Sequence, residues 1–136
     1  MNEKNFGYIL NVASIAGFMP GPLMATYYST KAYVFRLTQS IQEELNKMGS
    51  EVSVSLLCPG PIRTEFLNTA NVKFKTKLMS KEYVAKYAIE GMFKRKKIIV
   101  PGIQNKCIRF LSKIVPDKII AKIIYSQQGP KNKLGV

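Results

Sequence analysis

The chain of 136 residues contains no histidine, two cysteines and only 8 acidic residues. Histidine is the commonest metal ligand in proteins, so its absence gives no reason to predict a metal site. Two cysteines are too few for a disulfide framework. We expect both of them, Cys58 and Cys107, to be small buried hydrophobic residues in a reducing cytoplasm.

Long apolar runs are missing as well. No stretch approaches the ~20 apolar residues that a membrane-spanning helix needs. Residues 1–7 (MNEKNFG) also lack the hydrophobic segment of a signal peptide. The apolar content of 46% is nevertheless that of a globular protein, and the length allows one domain at most. The composition therefore predicts a globular chain located in the cytoplasm.

Negative charge is scarce in only one half of the chain. Residues 1–72 hold 5 basic and 5 acidic residues, whereas residues 73–136 hold 16 basic and 3 acidic residues. The whole net charge of +13 therefore lies in the second half. Such a half can attract phosphates, anionic lipid or nucleic acid. A solvated basic face is the more frequent explanation, and nucleic acid is the least favoured partner.

Three polar residues near the N-terminus, Ser14, Tyr27 and Lys31, could carry chemistry. Tyr27 and Lys31 are four residues apart, so in a helix their side chains project from the same face. A phenol ionises near pH ~10, and an ammonium one turn away favours its ionised form. Tyr27 could then act as a general acid or base, with Ser14 hydrogen-bonding the oxygen on which charge develops. Taken alone, the pair also fits a solvated lysine beside a half-buried tyrosine.

The pattern of apolar residues predicts an α/β fold with about three parallel strands. The strands are expected at residues 8–13, 52–58 and 98–100, and they are joined by helices at about 25–47 and 81–94. An apolar stripe on the first helix is expected to cover the sheet; it comprises Val34, Leu37, Ile41, Leu45 and Met48. Ser14 follows the carboxyl end of the first strand, where open α/β sheets bind their ligands.

Three motifs occur in a recognisable order: Ser14, then Tyr27-x-x-x-Lys31, then Pro59-Gly60-Pro-Ile62-Arg-Thr64. Together they resemble the catalytic half of the short-chain dehydrogenase/reductase family, closely over about residues 6–66. The resemblance implies a partial Rossmann-like, doubly wound parallel sheet. It also implies an oxidoreductase that transfers a hydride between NAD(P)H and a carbonyl or secondary alcohol, with NADP favoured over NAD.

The resemblance also assigns roles to single residues. The catalytic residues would be Ser14, Tyr27 and Lys31. The residues that contact the cofactor would be Tyr27, Lys31, Pro59, Gly60, Ile62 and Thr64. In the family, the loop after the first strand faces the substrate, so three of its apolar residues would line a pocket or simply pack in the core; these are Phe18, Met19 and Leu23.

No Gly-x-x-x-Gly-x-Gly or Gly-x-Gly-x-x-Gly loop occurs in the chain. In the family that loop holds the pyrophosphate of the cofactor on the first strand–helix turn. We therefore expect the chain to be a carboxyl half, without its N-terminal dinucleotide-binding half and inactive by itself. Such a half would have an open sheet edge. We therefore expect it to be unstable alone, to form a homo-oligomer, or to depend on a complementary N-terminal half.

Residues 1–101 are predicted to form the Rossmann-like part and residues 102–136 a basic helical extension. The extension reads as two amphipathic helices divided at Pro116, with lysines interleaved among apolar residues. Such helices could lie on a membrane surface, cover a hydrophobic substrate, or pack on their own domain. The competing hypothesis is a non-catalytic remnant or interaction module, whose basic half binds an anionic membrane or a partner protein. Its location would then be peripheral to a membrane.

Overall fold

The computed structural model describes residues 1, 3–63 and 78–128. Its elements, in chain order, are β1 (Gly7–Val12), a 3-10 helix (Ile15–Phe18), α1 (Ala25–Lys47), β2 (Val52–Leu57), α2 (Lys81–Phe93), β3 (Ile98–Ile99), α3 (Ile103–Leu111) and α4 (Asp117–Gln128). The strands are parallel in the order β1-β2-β3. The predicted α/β class, with a partial Rossmann-like sheet of three strands, is confirmed.

Helix α1 covers one face of the sheet. Its Phe35 joins a core made with strand-end and strand residues, namely Ala13, Leu56, Cys58 and Val100. The burial of β2 explains why its sequence is mainly apolar, since parallel strands enclosed by helices lose contact with water on both faces. This packing holds the carboxyl ends of β1 and β2 side by side.

The predicted apolar stripe of α1 is only partly correct. Leu37 and Met48 are 41% and 69% exposed, whereas Thr38 is fully buried. Polar contacts hold the face of α1 that carries Thr38 against the sheet. Asn11 Nδ2 donates to Thr38 Oγ1 at 3.0 Å, and Gln42 Nε2 donates to two backbone carbonyls at 2.8 Å. Buried polar groups are tolerated when they are hydrogen-bonded in this way.

Helix α2 covers the other face. Ser80 caps it by accepting a hydrogen bond from the N–H of Tyr83 at 3.2 Å, as expected for a serine before a helix. Val84 and Ala88 are buried against Leu57 and Ile99. The sheet therefore lies between α1 and α2.

The two C-terminal helices flank Pro116, as the sequence predicted. Across the described ranges, no helix combines the length and apolar character needed to cross a membrane. One expectation about the cysteines is wrong: Cys58 is buried, but Cys107 is exposed, because α3 turns it toward solvent. The predicted division of the chain after residue 101 coincides with the approach to α3 and stays a prediction.

Candidate active site

Ser14 lies where the ends of β1 and β2 meet. It is only 7% exposed. Its Oγ donates to the carbonyl oxygen of Pro59 at 3.4 Å and accepts from the N–H of Ala16 at 3.2 Å. The backbone N–H of Ile15 also donates to the carbonyl of Pro59, at 3.0 Å. Ser14 thus caps the 3-10 helix and ties the two strand ends together.

Lys31 reaches the same edge of the sheet from α1. Its Nζ donates to the carbonyl oxygen of Val12 at 3.2 Å, and it lies 5.9 Å from the centroid of the Tyr27 ring. The expected placement of Tyr27 and Lys31 on one helix face is therefore observed. A positive charge is therefore fixed beside a phenol, and the carbonyl that holds it belongs to Val12, two residues before Ser14.

Gly17 allows the 3-10 helix to approach α1 closely. A Cβ at Gly17 would lie 2.7 Å from the carbonyl oxygen of Lys31, which is closer than real Cβ contacts come. Any side chain there would push the turn that carries Lys31 away from the 3-10 helix capped by Ser14. A glycine at this position therefore sets the spacing between these two candidate residues.

The loop between the 3-10 helix and α1 places its apolar residues in different surroundings. Phe18 packs edge-on against Phe35, with ring centroids 5.2 Å apart, and it joins the core under α1. Met19 is half-buried, whereas Leu23 is exposed and has a positive φ of 68°. Of the two roles left open for these residues, core packing is the role of Phe18, and Leu23 remains available to line a pocket.

The segment after β2 lies at the same rim. Pro59 and Gly60 are buried, and Ile62 forms an isolated parallel bridge with Met79. The N–H of Arg63 donates to the carbonyl of Met79 at 3.1 Å. The predicted cofactor contacts Pro59, Gly60 and Ile62 therefore follow the end of β2, and Thr64 lies outside the described residues.

Sequence reasoning missed Asn105, a buried residue of α3. Its Nδ2 donates to the carbonyl of Pro101 at 2.7 Å, and a Cβ at Gly60 would lie 2.5 Å from its Oδ1. The amide therefore packs against the glycine that follows β2. The two residues are far apart in the sequence, and the only available signal was that Gly60 lacks a side chain.

The surroundings of the Cys58 thiol keep it from ionising, which distinguishes it from the reactive groups of the rim. Burial raises the pKa of the Cys58 thiol to about 12, and the charge of Arg109 opposes this rise in part. The thiol therefore stays protonated near neutral pH.

Within residues 1, 3–63 and 78–128, no three His, Cys, Asp or Glu side chains are grouped as metal ligands would be.

Comparison with known proteins identifies the family. Residues 1–74, more than half of the chain, match the family model described as short chain dehydrogenase. The chain belongs to the short-chain dehydrogenase family. Its candidate site lies at the strand ends within the matched residues.

Curated relatives of this short-chain dehydrogenase include two with steroid names. It is 28% identical over 121 residues to mouse estradiol 17-beta-dehydrogenase 11, covering 88% of this chain and 40% of the relative. It is 31% identical over 123 residues to human 17-beta-hydroxysteroid dehydrogenase 13, covering 89% and 40%. The chain thus spans about two fifths of the length of these relatives.

Solved structures match the fold of this short-chain dehydrogenase. A Burkholderia cenocepacia short chain dehydrogenase in complex with NADP has a TM-score of 0.71 and 22% identity, covering 94% of this chain and 51% of that one. A Burkholderia phymatum short chain dehydrogenase/reductase in complex with NAD has a TM-score of 0.69 and 22% identity, covering 100% and 54%. At these identities the likeness establishes the fold.

The family match corrects one expectation. The lack of a glycine-rich loop predicted a chain without its N-terminal dinucleotide-binding half. The match instead begins at residue 1 and lies in the N-terminal part of the chain, and the Burkholderia phymatum structure aligns with the entire chain. The inference of a missing half was therefore wrong. It relied on the absence of a single loop motif, whereas the family model matches residues 1–74 as a whole.

Proposed function

We propose that this short-chain dehydrogenase is an NAD(P)-dependent oxidoreductase that acts on a carbonyl or secondary alcohol. The observation that carries the proposal is Lys31, held by the Val12 carbonyl with its Nζ 5.9 Å from the Tyr27 ring centroid. Ser14 is fixed at the same rim. A hydroxyl, a phenol and an ammonium are the groups that proton transfer to a carbonyl oxygen requires.

The donor set fits a nicotinamide cofactor. When bound, such a cofactor supplies or accepts the hydride. An ammonium has three N–H donors. Lys31 uses one of them in its hydrogen bond to the Val12 carbonyl, so the other two can bind ribose hydroxyls. The residues proposed to hold the cofactor are Tyr27, Lys31, Pro59, Gly60, Ile62 and Thr64.

Each polar residue has a separate task in the proposed reduction. Ser14 turns its hydroxyl from the Pro59 carbonyl toward the substrate oxygen. Breaking the hydrogen bond to Pro59 costs little free energy, because its length of 3.4 Å makes it weak. Tyr27 donates the proton of its phenol oxygen to that substrate oxygen. The nearby charge of Lys31 stabilises the phenolate that remains. Alcohol oxidation reverses these steps.

A hydrophobic ketone or secondary alcohol is the proposed substrate class. The names of the two curated relatives refer to steroid dehydrogenases, which supports an apolar substrate. NADP is proposed ahead of NAD; two of the similar solved structures were obtained with NADPH or NADP and one with NAD. The assay below compares the two cofactors directly.

The test is oxidation of NADPH and NADH by the purified chain with a panel of steroid and long-chain ketones. We expect Tyr27→Phe to lower the rate by about 100-fold or more, because it removes the transferred proton. The matched control is Tyr33→Phe on the exposed side of α1, which should keep the native rate. Equal rates for Tyr27→Phe and the native chain, or no turnover by the native chain, would refute the proposal. The same assay decides whether the isolated chain is inactive, an expectation that relied on the missing half.

A cytoplasmic homo-oligomer is the proposed state of the protein. Among the described residues β1 pairs only with β2, and Phe6, Ile9 and Val12 along it are exposed. An open strand edge with apolar side chains favours association. Light scattering during size-exclusion chromatography should give at least twice the mass of one chain; a monomer at micromolar concentration would contradict the proposal.

A second candidate function, a non-catalytic module that binds an anionic membrane, is favoured by the exposed apolar residues of α3 and α4. If the native chain bound vesicles but reduced no ketone, the membrane-binding module would be selected over the oxidoreductase. The same surface could equally serve an active enzyme that is peripheral to a membrane.

A further inference from the structure

We propose that α3, α4 and the segment between them form a surface that binds anionic phospholipid bilayers, and that a basic cleft beside β3 holds a lipid phosphate. This surface is called the C-terminal face below; it comprises residues 103–125 together with the cleft. It adjoins the rim, because Asn105 of α3 packs against Gly60 and Arg109 contacts Phe18. Lys106 and Lys113 of the cleft are not among the proposed catalytic or cofactor-binding residues.

Large apolar side chains are exposed along the C-terminal face. Seven of them have exposed fractions between 47% and 72%: Ile103, Phe110, Leu111, Ile114, Ile119, Ile123 and Tyr125. Ile103 and Phe110 are seven residues apart, and Ile119 and Ile123 are four apart, so each pair lies on one face of its helix. Exposed apolar groups at helical spacing mark an interaction surface rather than a solvated one.

Basic residues are interleaved with these apolar residues in the sequence. Residues 103–128 contain five basic residues and a single acidic one, Asp117. Both ion pairs among the described residues, Lys47–Glu43 and Arg95–Glu51, lie elsewhere. The positive charge of the C-terminal face is therefore not neutralised by an ion pair in the described chain. Long basic side chains beside apolar ones suit the boundary between headgroups and acyl chains.

The cleft concentrates this charge. It has a volume of about 390 Å³ and runs along β3. Four cationic side chains line it, with no acidic one among the lining residues: Lys96, Lys106, Arg109 and Lys113. Its size falls within the ~300–1,000 Å³ of ligand-binding clefts. Lysine and arginine together provide the charge-assisted donors that a phosphate group requires.

Arg109 is positioned rather than freely solvated. Its guanidinium carbon lies 5.9 Å from the centroid of the Phe18 ring, in the range of a cation–π contact. This contact fixes one wall of the cleft, so a bound phosphate would meet a guanidinium that is already ordered. Less side-chain entropy is then lost on binding.

A lipid surface explains these observations better than a soluble anion does. Phe110 lines the cleft and is 64% exposed. A free phosphate would neutralise the lysines and leave this ring in water. A nucleic acid could stack a base on the ring but would leave the exposed isoleucines of α3 and α4 in water. An anionic bilayer offers a phosphate to the cleft and an apolar layer to Phe110 and its neighbours at the same time.

The experiment is co-sedimentation of the full chain with vesicles. One set is phosphatidylcholine alone, and the other is phosphatidylcholine mixed with phosphatidylserine in a three-to-one ratio. We expect binding to the mixed vesicles that weakens as salt is raised, and much weaker binding to phosphatidylcholine. The charge variant is Lys106→Gln with Lys113→Gln. Since each basic residue near such a membrane is worth about fivefold in affinity, this double variant should bind about 25-fold more weakly.

The matched control removes two exposed lysines elsewhere, Lys81→Gln with Lys86→Gln on α2, and should change binding less than about twofold. An apolar variant, Phe110→Ser with Ile114→Ser, should lose binding to both kinds of vesicle. Ketone reduction measured without vesicles should match the native rate in the Lys106 and Lys113 double variant. This readout shows that the variant is folded and separates a failure here from a failure of the oxidoreductase proposal.

Three outcomes would overturn the proposal. The first is equal affinity of the lysine variant and its control for the mixed vesicles. The second is no vesicle binding while inorganic phosphate alone raises the melting temperature, which would assign the cleft to a soluble anion. The third is binding of a short RNA but not of vesicles.

Discussion

The two halves of the described chain use their polar residues in opposite ways. At the rim formed by β1 and β2, Ser14 and Lys31 each donate to a backbone carbonyl of a strand end. On the C-terminal face, Lys106 and Lys113 are exposed and line the cleft together with the exposed Phe110. In the full sequence, residues 1–72 carry no net charge, whereas residues 73–136 carry the whole net charge of +13.

The difference shows how each half can be specific. Burial and the Ala16 N–H hold Ser14 in place, and the Val12 carbonyl holds Lys31. Such positioning suits chemistry that depends on the orientation of the reacting groups. Exposed lysines adapt to a partner and attract it from a distance, which suits a surface without a fixed shape. Substitutions at the rim should therefore affect rates, and substitutions on the C-terminal face should affect association.

The largest expected effect is the loss of the Lys31 charge. If the rim is catalytic, Lys31→Gln should lower the rate of ketone reduction by about 100-fold, because the Tyr27 phenolate loses its neighbouring cation. Lys47→Gln at the exposed end of the same helix is the control and should keep the native rate. The measurement is single-turnover reduction at saturating cofactor. A native rate for Lys31→Gln would remove the contrast between the two halves.

The parts of the fold that depend on local sequence could be predicted. The bounds of α1 and the break at Pro116 follow from helical periodicity and from the inability of proline to continue a helix. Placing Ser14 and Lys31 at one edge followed from the motif order and from the rule that ligands bind at the carboxyl ends of parallel strands.

The parts that depend on long-range contacts could not be predicted. The buried face of α1 is set by Asn11 and by the backbone carbonyls to which Gln42 donates. The apolar stripe alone therefore predicted wrongly that Leu37 and Met48 would cover the sheet. The Asn105 contact with Gly60 joins residues that no local pattern relates. The excess of basic residues was visible in the sequence, but their arrangement around a cleft depends on how α3 packs beside β3.

The contact between Gly60 and Asn105 should have the next largest effect, on stability. Gly60→Ala should lower the free energy of unfolding by about 1–3 kcal/mol, because the new methyl group overlaps the amide of Asn105. Asn105→Ala makes room but loses the hydrogen bond to the Pro101 carbonyl. The double variant should therefore be more stable than the sum of the single effects predicts, by about 1 kcal/mol. Urea unfolding measures all four chains, and strict additivity would show that the two residues do not limit each other.

The smallest predicted effect uses the two cysteines, one from each region. Burial raises the pKa of Cys58 from 9.0 to about 12, so the folded chain keeps this proton at a pH where the unfolded chain loses it. The resulting stabilisation is complete below pH 9 and is lost as the pH rises from 9 toward 12. The slope is about 1.4 kcal/mol per pH unit.

The measurement compares unfolding free energies at about pH 8 and about pH 10 for three chains, so that the other titrating groups cancel. The native chain and Cys107→Ala should each lose about 1.4 kcal/mol more than Cys58→Ala over this interval. Cys107→Ala removes an exposed thiol of α3 and keeps Cys58, so it serves as the control for the substitution itself. Parallel slopes for all three chains would mean that water reaches Cys58 at the end of β2. The rim would then be as open as the C-terminal face, and the fixed geometry proposed for Ser14 and Lys31 would lose its support.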